Sequence, residues 1–87
     1  MRLHILNTPD SLSRCKAVVE NSDSLILIED AVVLSPSIFS DIDTGTAVYV
    51  LLDDIQRRGL KTPSNIKALD YIQFVDLCAA HPQCLSW

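Results

Sequence analysis

Four branched aliphatics, Leu25-Ile26-Leu27-Ile28, stand together between Ser24 and the carboxylate pair Glu29-Asp30, and the rest of the chain is patterned around them. Periodicity alone does not separate a strand from a helix segment here. The run is too short to be a helix by itself, and its sharp polar bounds predict a strand buried on both faces. Upstream, Arg2-Leu3-His4-Ile5-Leu6-Asn7 alternates in part and predicts a first strand. Thr8-Pro9-Asp10 then predicts the opening of a helix from Pro9 to about Glu20. Thr8 would cap the free amides, Pro9 suits the first turn, and Asp10 complements the positive helix end. Leu12, Cys15 and Val19 share one face of this helix, with Val18 at its margin, while Arg14 and Lys16 point elsewhere. Asn21-Ser22-Asp23 ends it and leads into the central run. A strand–helix–strand unit this short implies parallel strands.

Beyond Asp30 the pattern weakens. Ala31-Val32-Val33-Leu34 fits one or two helical turns or an extended continuation, and Ser35 to Gly45 reads as a loop that has room for a helical turn. Thr46-Ala47-Val48-Tyr49-Val50-Leu51-Leu52 is rich in β-branched and aromatic residues and predicts another strand. Asp53 is expected to cap a short helix through Arg58, with Gly59 in a left-handed closing position. Asn65-Ile66-Lys67-Ala68-Leu69 reads as a short, weak strand. Asp70, with Gln73 three residues on, forms the sequence signature of a capping box. The helix that follows would carry Tyr71, Phe74, Val75 and Cys78 as its apolar stripe and stop before Pro82. The tail ends on Trp87, which either packs on the core edge or docks a partner. The order β-α-β-(α)-β-α-β-α predicts a single α/β domain over residues 1–87, with a mainly parallel four- to five-stranded sheet and helices on both faces.

Composition narrows the function. Hydrophobic residues make up 48% of only 87 positions, although a chain of this size buries only roughly 60–65% of the surface its unfolded form exposes. The excess implies a doubly covered sheet, an apolar surface kept for a partner, or both. Seven basic residues against eleven acidic ones give a net charge of −4. With the bases scattered, direct nucleic-acid binding is not expected. The first residues lack a basic segment followed by an apolar one, and no run approaches the roughly 20 apolar residues of a bilayer span. A cytoplasmic protein is therefore expected, with Cys15, Cys78 and Cys84 as reduced thiols.

Candidate chemistry is sparse. Cys15 lies on the apolar stripe of the first helix and reads as a small buried hydrophobe. Its place near the helix start, beside Arg14 and Lys16, also makes it a candidate sulfur acceptor. Cys78, His81 and Cys84 are spaced C-x2-H-x2-C, but no residue offers itself as a fourth ligand and Pro82 interrupts the geometry, so no metal is expected. Cys84 is the thiol expected to be exposed. His4 reads as structural, and His81 as favouring the negative end of the last helix. No G-x-S-x-G elbow supports a Ser-His-Asp triad. With Gly45 and Gly59 the only glycines, there is no phosphate loop and no cofactor is expected. Glu29, Asp30, Asp53 and Asp54 follow strand ends, where small molecules bind in many α/β folds; as caps and solvated loop charges they would do no chemistry.

Several segments together carry a resemblance. They are Leu3-His4-Ile5-Leu6-Asn7, the stretch Asp23 to Val32, Val48-Tyr49-Val50-Leu51 followed by Asp54 and Arg58-Gly59-Leu60, Leu69 to Leu77 with its D-Y-x-x-F-V segment, and the ending His81-Pro82 … Ser86-Trp87. Taken in this order and at this length, they resemble the TusB/DsrH family of sulfur-relay proteins. The resemblance implies a DsrE-like fold and assembly with TusC/DsrF-like and TusD/DsrE-like subunits into a heterohexamer. In one branch such a complex relays persulfide sulfur for 2-thiolation of the tRNA wobble uridine; in the other it serves dissimilatory sulfur oxidation. The main relay cysteine would sit on the TusD/DsrE-like partner. Some DsrH-type members also carry a first-helix cysteine, in a place similar to Cys15. An assembly role with little chemistry of its own is therefore expected, with persulfide carriage by Cys15 as the alternative.

Overall fold

A computed structural model describes residues 1–87. Its centre is a five-stranded, all-parallel sheet in the order β4-β3-β2-β1-β5, formed by β1 (Leu3–Leu6), β2 (Ser24–Leu27), β3 (Ala47–Leu51), β4 (Lys67–Leu69) and β5 (Cys84–Ser86). The aliphatic run is the middle strand, and every residue of β2 is buried. Strand alternation sorts the side chains between two faces. Leu6, Leu25, Leu27, Val48 and Val50 form the larger core with Leu12, Cys15, Ala31, Val32, Ile38 and Ile55 from the covering helices. The opposite face carries Leu3, Ile26 and Leu69, with Ile5, Ile28 and Tyr49 half-buried around them.

The larger face is covered by α1 (Ser11–Cys15), a 3-10 helix (Glu29–Ser40) and α2 (Leu52–Arg57); the other is covered by α3 (Tyr71–Ala79). The expected helix over Pro9 to Glu20 is thus reduced to five residues and a few turns. One long-range and one local polar contact remove what would have continued it. The Arg2 guanidinium donates to the Val18 carbonyl at 2.6 Å, and the Glu20 amide donates to Asp23 Oδ2 at 3.0 Å. Thr8 does not cap the helix through its side chain. The N-cap position is Asp10, also without a side-chain cap, and the Thr8 hydroxyl instead meets the Ser11 hydroxyl at 3.1 Å.

The expected loop from Ser35 is also corrected. Residues Glu29 to Ser40 wind through twelve residues of 3-10 helix with Pro36 inside, burying Ala31, Val32, Ser35 and Ile38. Pro36 has no amide to donate, and the β-branched Val32 and Val33 disfavour a regular α-helix. The core contacts hold the winding in place. Asp53 lies in the first turn of α2 and is not its cap. Gly59 closes α2 at φ 65, as expected. The predicted capping box is present: the Gln73 amide donates to Asp70 Oδ1 at 2.8 Å, and the Asp70 amide to Gln73 Oε1 at 2.9 Å.

The apolar stripe of α3 is rotated from the expected one. Phe74, Leu77 and Cys78 face the sheet, while Tyr71, Ile72 and Val75 face outward. The tail is a strand, with Leu3, His4 and Ile5 of β1 paired to Cys84, Leu85 and Ser86. Beyond it, Trp87 packs on the larger core.

Candidate functional site

Two polar assemblies and one apolar surface stand out. The first begins with His4, which lies on the larger core face and is fully buried. A buried imidazole needs partners for both nitrogens. The Trp87 indole Nε1–H donates to His4 Nδ1 at 3.0 Å, and His4 Nε2 meets Asp23 Oδ2 at 2.9 Å. Indole is only a donor, so Nδ1 accepts and the proton lies on Nε2, directed at the carboxylate. Asp23 also accepts from the Arg2 amide (3.0 Å), the Arg2 guanidinium (3.1 Å) and the Glu20 amide (3.0 Å). Burial alone would raise its pKa. The hydrogen bonds from His4, Glu20 and Arg2 outweigh burial and hold the carboxyl well below the usual carboxylate range. An aspartate and a histidine are aligned as in a hydrolytic triad, but an indole occupies the nucleophile's place and no solvent reaches the ring. The assembly ties β1, the approach to β2, and the residue after β5.

The second assembly lies at the carboxyl ends of β2 and β3. Glu29 turns out of β2 with φ 51, an uncommon conformation for a residue with a side chain. Its amide donates to the buried Asp54 Oδ2 at 2.7 Å. Asp54 Oδ1 pairs with Arg57 at 3.3 Å, and the Arg58 guanidinium pairs with Asp30. The structure therefore joins Asp30 and Asp54 to arginines and gives Asp54 the work of fixing the chain reversal, while Asp53 and Glu29 remain exposed. Asp54→Ala is expected to cost about 1–3 kcal/mol by stranding the Glu29 amide, read as a lower urea midpoint with an unchanged slope. An open depression of about 510 Å³ lies at the other end of the sheet, beside the starts of β3 and β4, away from these carboxylates.

Cys15 is fully buried in the larger core. Burial pushes its thiol up to about 11, against smaller opposing effects of a backbone hydrogen bond and Arg14. A thiol so placed has little thiolate at neutral pH. The C-x2-H-x2-C residues do not converge as ligands. His81 Nδ1 donates to the Leu77 carbonyl at 2.8 Å, which leaves Nε2 to accept from the Ser24 hydroxyl at 3.2 Å. His81 thus engages a carbonyl in the last turn of α3, the end at which it was expected to act.

The apolar surface is α3 itself. Tyr71, Ile72 and Val75 are 67, 73 and 47% exposed, and no residue of the helix is fully buried. Sequence reasoning missed Asp23, reading it as loop. The available signal was His4, a polar residue at a core-facing strand position that demands a charged or hydrogen-bonding partner.

An all-parallel sheet of this order, with one helix covering its second face, is the fold of a small α/β protein solved from E. coli, YchN. The TM-score is 0.76 at 14% identity, covering 100% of this chain and 99% of that one. The family model described as "DsrH like protein" matches residues 7–84, and the chain belongs to that family. TusB of Pectobacterium parmentieri is 32% identical over 75 residues, covering 79% of each chain. TusB of Yersinia pestis (strain Pestoides F) is 29% identical over 82 residues, covering 87% of this chain and 86% of that one. The resemblance drawn from the scattered segments is borne out, as is the DsrE-like α/β fold. No helix is long and apolar enough to cross a membrane.

Proposed function

We propose that this chain is an assembly subunit of a cytoplasmic sulfur-relay complex. It joins TusC/DsrF-like and TusD/DsrE-like subunits in a heterohexamer that relays persulfide sulfur for 2-thiolation of the tRNA wobble uridine. Membership of the DsrH-like family and the TusB relatives support the pathway. The observation that carries the assembly role is the outward face of α3, where Tyr71, Ile72 and Val75 stand in solvent on a helix covering the less thickly clad side of the sheet. In this reading the occupant is an α/β subunit of the complex, which buries these side chains. The net charge of −4 fits a chain that serves tRNA modification through protein contacts.

The relay thiol in this reading belongs to the TusD/DsrE-like partner. The burial and raised pKa of Cys15 support that assignment, because persulfide carriage by Cys15 would require α1 to open first. Cys15→Ser in the assembled complex is therefore expected to leave 2-thiouridine at its wild-type level, measured by nucleoside mass spectrometry of tRNA. Loss of the modification while the complex stays intact would transfer the carrier role to Cys15.

A further inference from the structure

Two thiols meet on the α3 side of the sheet. Cys78, in the last turn of α3, packs towards Leu3, Ile26 and Leu69. Cys84 opens β5 level with Leu3 in the β1 register, beside the cluster on which Cys78 packs. Cys84 is exposed and Cys78 half-buried. The Cys84 thiol reaches the Cys78 carbonyl oxygen at 3.5 Å. Burial, and then the neighbouring Cys84 thiol through charge and hydrogen bonding, push the Cys78 thiol up. Cys15 lies in the larger core on the other side of the sheet and cannot join them.

We propose that Cys78 and Cys84 form a dithiol modification site for low-molecular-weight disulfides, with Cys84 as the entry thiol and Cys78 as the resolving thiol. Accessibility sets the order. The Cys84 thiolate attacks one sulfur of the disulfide: a Cys84–reagent S–S bond forms, the reagent's own S–S bond breaks, and the released thiolate takes up the proton Cys84 gave up. The Cys78 thiolate then attacks the Cys84 sulfur, which forms the Cys78–Cys84 bond and releases the second reagent half as a thiol. Two electrons pass from the protein to the disulfide, which leaves as two thiols. The connection between the two cysteines is held by His81 through the Leu77 carbonyl and the Ser24 hydroxyl, and the Cys84 thiol already lies against the Cys78 backbone. The product ties the end of α3 to β5.

The test uses the full chain incubated with glutathione disulfide, trapped with an alkylating agent and followed by peptide mass spectrometry. The wild type is expected to lose both alkylatable thiols at Cys78 and Cys84, with a mass loss of two hydrogens and no glutathione retained. Cys78→Ser is expected to hold one glutathione on Cys84, and Cys15→Ser to behave as wild type. The proposal is overturned if wild-type Cys84 keeps its glutathione as the Cys78→Ser variant does, or if the product is a dimer linked through Cys84.

Discussion

Replacing Asp23 with alanine is expected to remove about 3–5 kcal/mol of folding stability, the cost of breaking a buried charged network by deleting one partner. The substitution strands the His4 Nε2–H and two backbone amides together, and it takes from the Arg2 guanidinium its carboxylate partner. A domain of this size holds roughly 4–13 kcal/mol in all, so the loss is a large share of the total and should show as a marked fall in the unfolding midpoint. Asp23→Asn keeps the shape and part of the acceptor capacity, and its loss is expected to be smaller. Urea denaturation of the three proteins checks both. The same carboxyl gives the chain an acid sensitivity. Its folded pKa lies below the unfolded value of about 4, so its contribution is complete above about pH 4 and lost as the pH falls further. In Asp23→Asn that part of the acid dependence should vanish, which melting curves across the acid range would show.

Ile72→Asp is the second large effect expected, and it falls on assembly. Ile72 is 73% exposed, so the isolated chain should keep its stability to within about 0.5 kcal/mol. A carboxylate placed in a desolvated apolar contact is expected to cost about 2–4 kcal/mol of binding, on the scale of hot-spot losses. That corresponds to roughly a thirty- to thousandfold weaker association. Copurification from cells expressing the other subunits should fail while the circular dichroism melt is unchanged. Undiminished copurification would place the contact elsewhere on the chain.

The sequence showed most clearly what is decided locally. Leu25 to Ile28 announced the middle strand because a short apolar run with polar bounds has few other uses. The Asp70–Gln73 box was legible because both partners lie within one turn. Some of the failures have long-range causes and others come from ambiguous local pattern. Nothing near Val18 foretells that its carbonyl will be taken by Arg2, so α1 looked longer than it is. Pro36 and its serine neighbours hid the helical spacing of Ala31, Val32, Ser35 and Ile38. The three residues of β5 have little strand preference of their own and are ordered by β1. On α3 nearly every position is apolar, so periodicity could not choose between Val75 and Leu77 for the sheet. Among the site residues, the strand-end role of Glu29 and Asp30 was anticipated in outline. The role of Asp54 in holding that turn was not, because it joins two segments far apart in sequence.

The hydrogen bond between His4 and Trp87 joins residues at nearly opposite ends of the chain. Closing so long a loop carries the largest entropic cost among the chain's side-chain hydrogen bonds, and contacts of that kind are expected to form late in folding. Interactions absent from the transition state govern how fast the native chain comes apart, not how fast it forms. The indole behind β5 is therefore expected to act on the lifetime of the folded protein, as a latch set after the other four strands are in place.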